Sequence, residues 1–118
     1  LMRALVILLL LIPGPWLAAE ESSGRQVDFG LKVAQKGLWQ EARFRFERAV
    51  QLDPGNAAAL NDLAVALEQM GEFAEARKAY EKALELKPGD IYIQQNYDLF
   101  READDKRNRK SRRKKAQP

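Results

Sequence analysis

With 118 residues the chain has room for one small domain plus tails and for only a modest core. It contains no Cys, His or Thr, and Ser22, Ser23 and Ser111 are its only serines, which excludes a disulfide, a Cys–His pair, a Ser–His relay and a zinc site with N or S ligands. The net charge of +3 is unevenly spread: eight of the 20 Lys and Arg lie between residues 106 and 115, and residues 20–105 carry 11 basic against 17 acidic residues, a net of −6.

The chain opens on "LMRALVILLLLIPGPWLAA", with a charge at Arg3, an apolar run from Ala4 to Ile12, a helix-breaking Pro13-Gly14-Pro15, and small residues at Ala18 and Ala19. The run is about half the ~20 residues a spanning helix needs. Residues 1–19 therefore read as a secretory signal peptide cut after Ala19, with a membrane anchor through residues 4–19 or a buried core helix as alternatives. The expected location is outside the cytoplasm, in the periplasm or on an envelope membrane.

Two stretches then align without a gap at an offset of 34 residues, "FGLKVAQKGLWQEARFRFERAVQLDPGN" from Phe29 and "LAVALEQMGEFAEARKAYEKALELKPGD" from Leu63. The offset pairs Gly37 with Gly71, Trp39 with Phe73, Ala42 with Ala76, Phe46 with Tyr80, Ala49 with Ala83 and Pro54-Gly55 with Pro88-Gly89. Period, turn glycine, following aromatic, Ala-x3-aromatic-x2-Ala run and closing proline resemble the tetratricopeptide repeat (TPR). Two repeats are assigned, residues 23–56 and 57–90.

The residues lead to the same elements without the family. Leu60, Leu63, Ala64, Leu67 and Met70 recur at three- and four-residue steps and line one helical face, which Gly71 ends. Phe73, Ala76, Ala79, Tyr80, Ala83 and Leu84 line a second face, stopped by Pro88-Gly89, and Asp90 can cap the next helix. The short link makes the pair antiparallel, with alanines allowing close approach and the aromatics filling the layers as core. A further stretch, "DIYIQQNYDLFREADDK", places Ile93, Tyr97 and Phe100 at i, i+4 and i+7. Asp98, where the repeats have Gly30 and Ala64, marks an end to stacking. The expected fold is all-α, two TPR helix-turn-helix repeats plus a capping helix over 91–105, a fragment of a right-handed α-solenoid. A disordered basic tail is expected over 106–118.

The resemblance implies a non-catalytic adaptor or scaffold that holds a peptide or partner helix on the face formed by the first helix of each pair. Carried over, the groove positions are Val27, Leu31 and Gln35, then Asn61, Asp62, Val65 and Gln69, then Tyr92, Gln95 and Asn96. Members that clamp a chaperone's acidic C-terminus use Lys, Arg and Asn at such sites. Here only Asn96 could donate to a carboxylate and Asp62 would repel it, so a neutral or basic peptide or an apolar helix face fits better. No cofactor or metal is expected. The tail cations Lys106, Arg107, Arg109, Lys110, Arg112, Arg113, Lys114 and Lys115 form an anion-binding arm, for an anionic membrane surface or envelope polymer, each near-surface charge contributing about 1 kcal/mol. Nucleic acid ranks last, because the tail has no aromatic to stack on a base and no element to enter a groove.

Overall fold

The structure, a computed structural model, describes residues 22–118, so the leader assigned to residues 1–19 lies outside the described residues. Five helices occupy them in order: α1 (Ser23–Gln35), α2 (Trp39–Leu52), α3 (Ala57–Gln69), α4 (Phe73–Leu86) and α5 (Ile91–Ala116). Side chains cap three of them. Ser22 accepts from the Arg25 amide, Asn56 from the Ala59 amide, and Asp90 from the amides of Tyr92 and Ile93. None of the helices among the described residues is long and apolar enough to cross a membrane.

Both hairpin turns are closed in the same way. The Gly37 amide donates to the Ala34 carbonyl and the Leu38 amide to the Val33 carbonyl; 34 residues on, Gly71 donates to Glu68 and Glu72 to Leu67. These are Schellman closures, and they need a left-handed residue, which Gly37 at φ +75 and Gly71 at φ +78 supply. Helices α1 and α2 then pack as one antiparallel pair, α3 and α4 as the next, and α2 against α3 joins them.

The helices of the first pair approach closely at Gly30, where an added Cβ would lie 2.5 Å from Cε1 of the buried Phe46 ring. Gly30→Ala sets about 1 kcal/mol of helix propensity against about 1–3 kcal/mol of overpacking. Because the obstacle is an enclosed ring, overpacking wins, and urea unfolding should show a net loss of about 1–2 kcal/mol. The corresponding site in the second pair, Ala64, already carries that Cβ and is itself buried.

The second pair is closed by α5. Phe100 is 0% exposed and sits with Ala64, Leu67, Ala76, Ala79 and Tyr80 in one apolar cluster. Its ring lies 5.4 Å from that of Tyr80 and 6.5 Å from that of Tyr97, which is itself 5.9 Å from Tyr80, so the three rings form one cluster. Ile93 is buried with Ala57, Leu60 and Ala83. The capping role expected of this segment is therefore what its residues perform.

The end of α5 corrects the expectation of a disordered tail after residue 105: the helix runs unbroken for 26 residues to Ala116. Four physical causes act together. The repeat register places Asp105 where Gly37 and Gly71 turn the chain, so no left-handed residue ends the helix there. Asp104, buried at 8% exposure, takes Nη2 of Arg77 on α4 at 2.7 Å and Nη2 of Arg107 at 3.2 Å. The Arg107 guanidinium lies 3.6 Å from the centroid of the Phe73 ring, with its Nε buried and without a hydrogen-bond partner. Lys and Arg are also good helix formers, and their charge suits a helix C-terminus. At the opposite end of the stack Arg45 does a similar service, its guanidinium 4.2 Å from the Phe29 ring and 5.4 Å from that of Phe44.

Candidate functional site

Helices α1, α3 and α5 lie on one side of the stack, α3 touching both of the others, and together they form the face on which the groove residues were expected. Leu31, Gln35, Asp62 and Val65 converge there on a cleft of about 240 Å³, completed by Ala34, Trp39 and Phe46. Asn61 and Asn96 also meet, the Asn96 Nδ2 donating to Asn61 Oδ1 at 3.1 Å and tying α5 to α3. Val27, Gln69, Tyr92 and Gln95 are not among the cleft's lining residues; Tyr92 stands near the start of α5, 75% exposed.

Trp39 and Phe46 were expected as core alone. Phe46 is buried in the first pair, with one side reaching the cleft, and Trp39 is half-buried against the same cluster while walling the opening. Their positions relative to the turn glycine could not separate them from Phe73 and Tyr80. What differs is the neighbour: Arg107 lies over Phe73, whereas Trp39 borders the groove.

Asp62 is the charged member of the cleft. Burial pushes its carboxyl up to about 6, opposed by a hydrogen bond from the Asn61 side chain. Close by, the Tyr80 hydroxyl of α4 donates to Glu68 Oε2 at 3.0 Å, and burial with Glu68 and Asp62 nearby holds its phenol well above its ordinary range. A carboxyl raised in the folded state contributes stability that is present below its unfolded pKa of about 3.9 and is lost as pH rises through about 6. Asp62→Asn is thus expected to match the wild type at pH 4 and exceed it by about 1–2 kcal/mol at pH 7.5, after allowance for partial exposure. Urea midpoints at the two pH values check this.

Of the eight tail cations, the structure engages two. Lys106 pairs with Glu102 at 3.4 Å, and Arg107 is held by Asp104 and Phe73. Arg107 is therefore part of the folded body and not of a free arm, a correction that stems from its position in register with Trp39 and Phe73. Arg109, Lys110, Arg112, Arg113, Lys114 and Lys115 are exposed on the last turns of α5. Among the described residues no group of three or more His, Cys, Asp or Glu is placed to hold a metal ion.

The tetratricopeptide repeat profile matches residues 34–95, more than half of the chain. The chain belongs to the tetratricopeptide repeat family. Among solved structures, that titled "Crystal structure of MamA protein" resembles it with a TM-score of 0.68 and 28% identity over 79% of this chain. The alignment covers 51% of the MamA chain, so this chain spans about half the length of that structure. No curated protein sequence matches. The all-helical TPR architecture read from the 34-residue period is thereby the fold, and TPR repeats are in general modules for protein–protein contact.

Proposed function

We propose that the chain is a non-catalytic TPR docking module that holds a peptide or helix of a partner protein on its α1–α3–α5 face, in a complex outside the cytoplasm at an envelope or membrane. The observation that carries the docking reading is the open cleft between α1 and α3, in which four of the ten expected groove residues meet an aromatic wall. Support for the location comes from the leader-like residues 1–19.

Two experiments test the reading. Cross-linking from a photoreactive residue placed at Leu31 or Val65 is expected to trap one partner protein, and Asp62→Lys to reduce the yield. Cross-linking confined to the opposite face, from α2 and α4, would refute the groove. Fractionation of cells making the intact chain and a chain begun at Glu20 is expected to place only the former outside the cytoplasm. Equal cytosolic recovery of both would defeat the export reading.

A second reading is favoured by the exposed end of α5. Six cations on two helical turns form a compact basic surface suited to an anionic membrane or envelope polymer. Its test is truncation after Asn108, which spares the Asp104–Arg107 contact. Sedimentation with vesicles containing anionic lipid should fall with truncation and with added salt.

A further inference from the structure

Asp62 is set into a wall that is otherwise almost wholly apolar, the Gln35 amide being the other polar group beside Leu31, Ala34, Trp39, Phe46 and Val65. No Lys or Arg lines the cleft, and no cation of the described residues acts on the carboxyl. A partly desolvated carboxylate without a countercharge is a standing cost to the fold, and an incoming cation removes it. The apolar wall matches the methylene stem of Lys or Arg, which such side chains bury while their heads seek charge. An aromatic wall such as Trp39 favours cations further.

Size narrows the occupant. At about 240 Å³ the cleft lies below the about 300–1,000 Å³ of small-molecule sites and suits one long side chain. The repeat register singles out the same residue: Asp28, one repeat earlier, is exposed, and Asn96, one repeat later, is uncharged, so Asp62 alone of the three combines charge with burial.

We propose that this cleft is a subsite for a Lys or Arg side chain of the docked partner, the cationic head on Asp62 and the stem against Leu31, Trp39 and Val65. The proposal rests on the docking reading above and adds to it the chemistry of one recognised side chain.

The probe is a display library of random twelve-residue peptides, selected in parallel on the wild-type chain and on Asp62→Asn, whose melting is followed to show that it folds. Wild type is expected to enrich peptides with one Lys or Arg among apolar residues, and the variant to lose that preference. Replacing the selected Lys by norleucine in a resynthesised peptide should weaken binding to wild type about tenfold and leave binding to Asp62→Asn unchanged. Enrichment of apolar peptides without a cation on both proteins overturns the subsite and leaves the docking groove standing. Failure to enrich any peptide on wild type removes both. If a synthetic peptide of residues 106–118 displaces the selected peptides at equal concentration, the separate partner is overturned in favour of a second copy's basic helix.

Discussion

Phe100→Ala is expected to lower the unfolding free energy by about 3–5 kcal/mol, the largest effect of any single truncation outside the repeats themselves. The ring is fully enclosed, touches Tyr80 and Tyr97, and fills the end of the second pair with Ala64, Leu67, Ala76 and Ala79. The surrounding alanines are short and cannot collapse into the space, so cavity and transfer costs both apply. Total stability of a domain this small is on the order of 5–15 kcal/mol, so the loss takes a large fraction of it. Leu99→Ala is the control on the same helix. Leu99 is 68% exposed, and its removal should change stability by less than about 0.5 kcal/mol. Chemical unfolding followed by circular dichroism measures both. Equal small losses would mean that α5 does not seal the stack.

Asp104→Ala is expected to cost about 2–3 kcal/mol and to shorten α5. The carboxylate bridges Arg77 and Arg107, and its loss leaves two guanidinium groups facing one another beside Phe73. Breaking a buried pair costs about 3–5 kcal/mol, reduced here because Arg77 and Arg107 each keep about a third of their side chains in solvent. The helical signal of the last turns should fall together with the midpoint. The Arg77 hydrogen bond, aided by Arg107, holds the Asp104 carboxyl below its usual range. A lowered carboxyl contributes stability that is full above its unfolded pKa of about 3.9 and is lost as pH falls through the native value. The acid limb of the wild-type stability profile should therefore flatten in Asp104→Ala, while the decline toward neutral pH, which Asp62 drives, remains. An unchanged acid limb would remove Asp104 from this role.

Much of this arrangement was legible in residues at fixed spacing. Gly37 and Gly71 announce the turns, Gly30 and Ala64 the close approaches, and Ile93, Tyr97 and Phe100 the buried face of the last helix. The continuation of α5 was written in the same register, because Asp105 stands where the turn glycine belongs, yet the density of charge after residue 106 drew the expectation toward disorder. Like charges along a helix repel weakly in water, by a few tenths of a kcal/mol per pair. Summed over the run this is of the same order as what the docking of Asp104 and Arg107 supplies, and the helix propensity of Lys and Arg adds to the latter. The cleft was half legible. Leu31, Gln35, Asp62 and Val65 belong to the face of each first helix, but the share of Trp39 and Phe46 in its wall depends on which neighbour covers each aromatic, and that is a property of packing between distant residues.

The unturned end of α5 also fixes a direction. From Asn108 to Ala116 the helix projects about 13 Å beyond its anchorage at 1.5 Å per residue. No flexible joint separates the cationic end from the body that carries the cleft. A charged surface that grips the end of this spar would hold the cleft at a set height and angle instead of letting it swing, so two ligands bound at once must satisfy one geometry. An inserted Gly-Ser hinge after Asn108 would free that angle while leaving both surfaces intact.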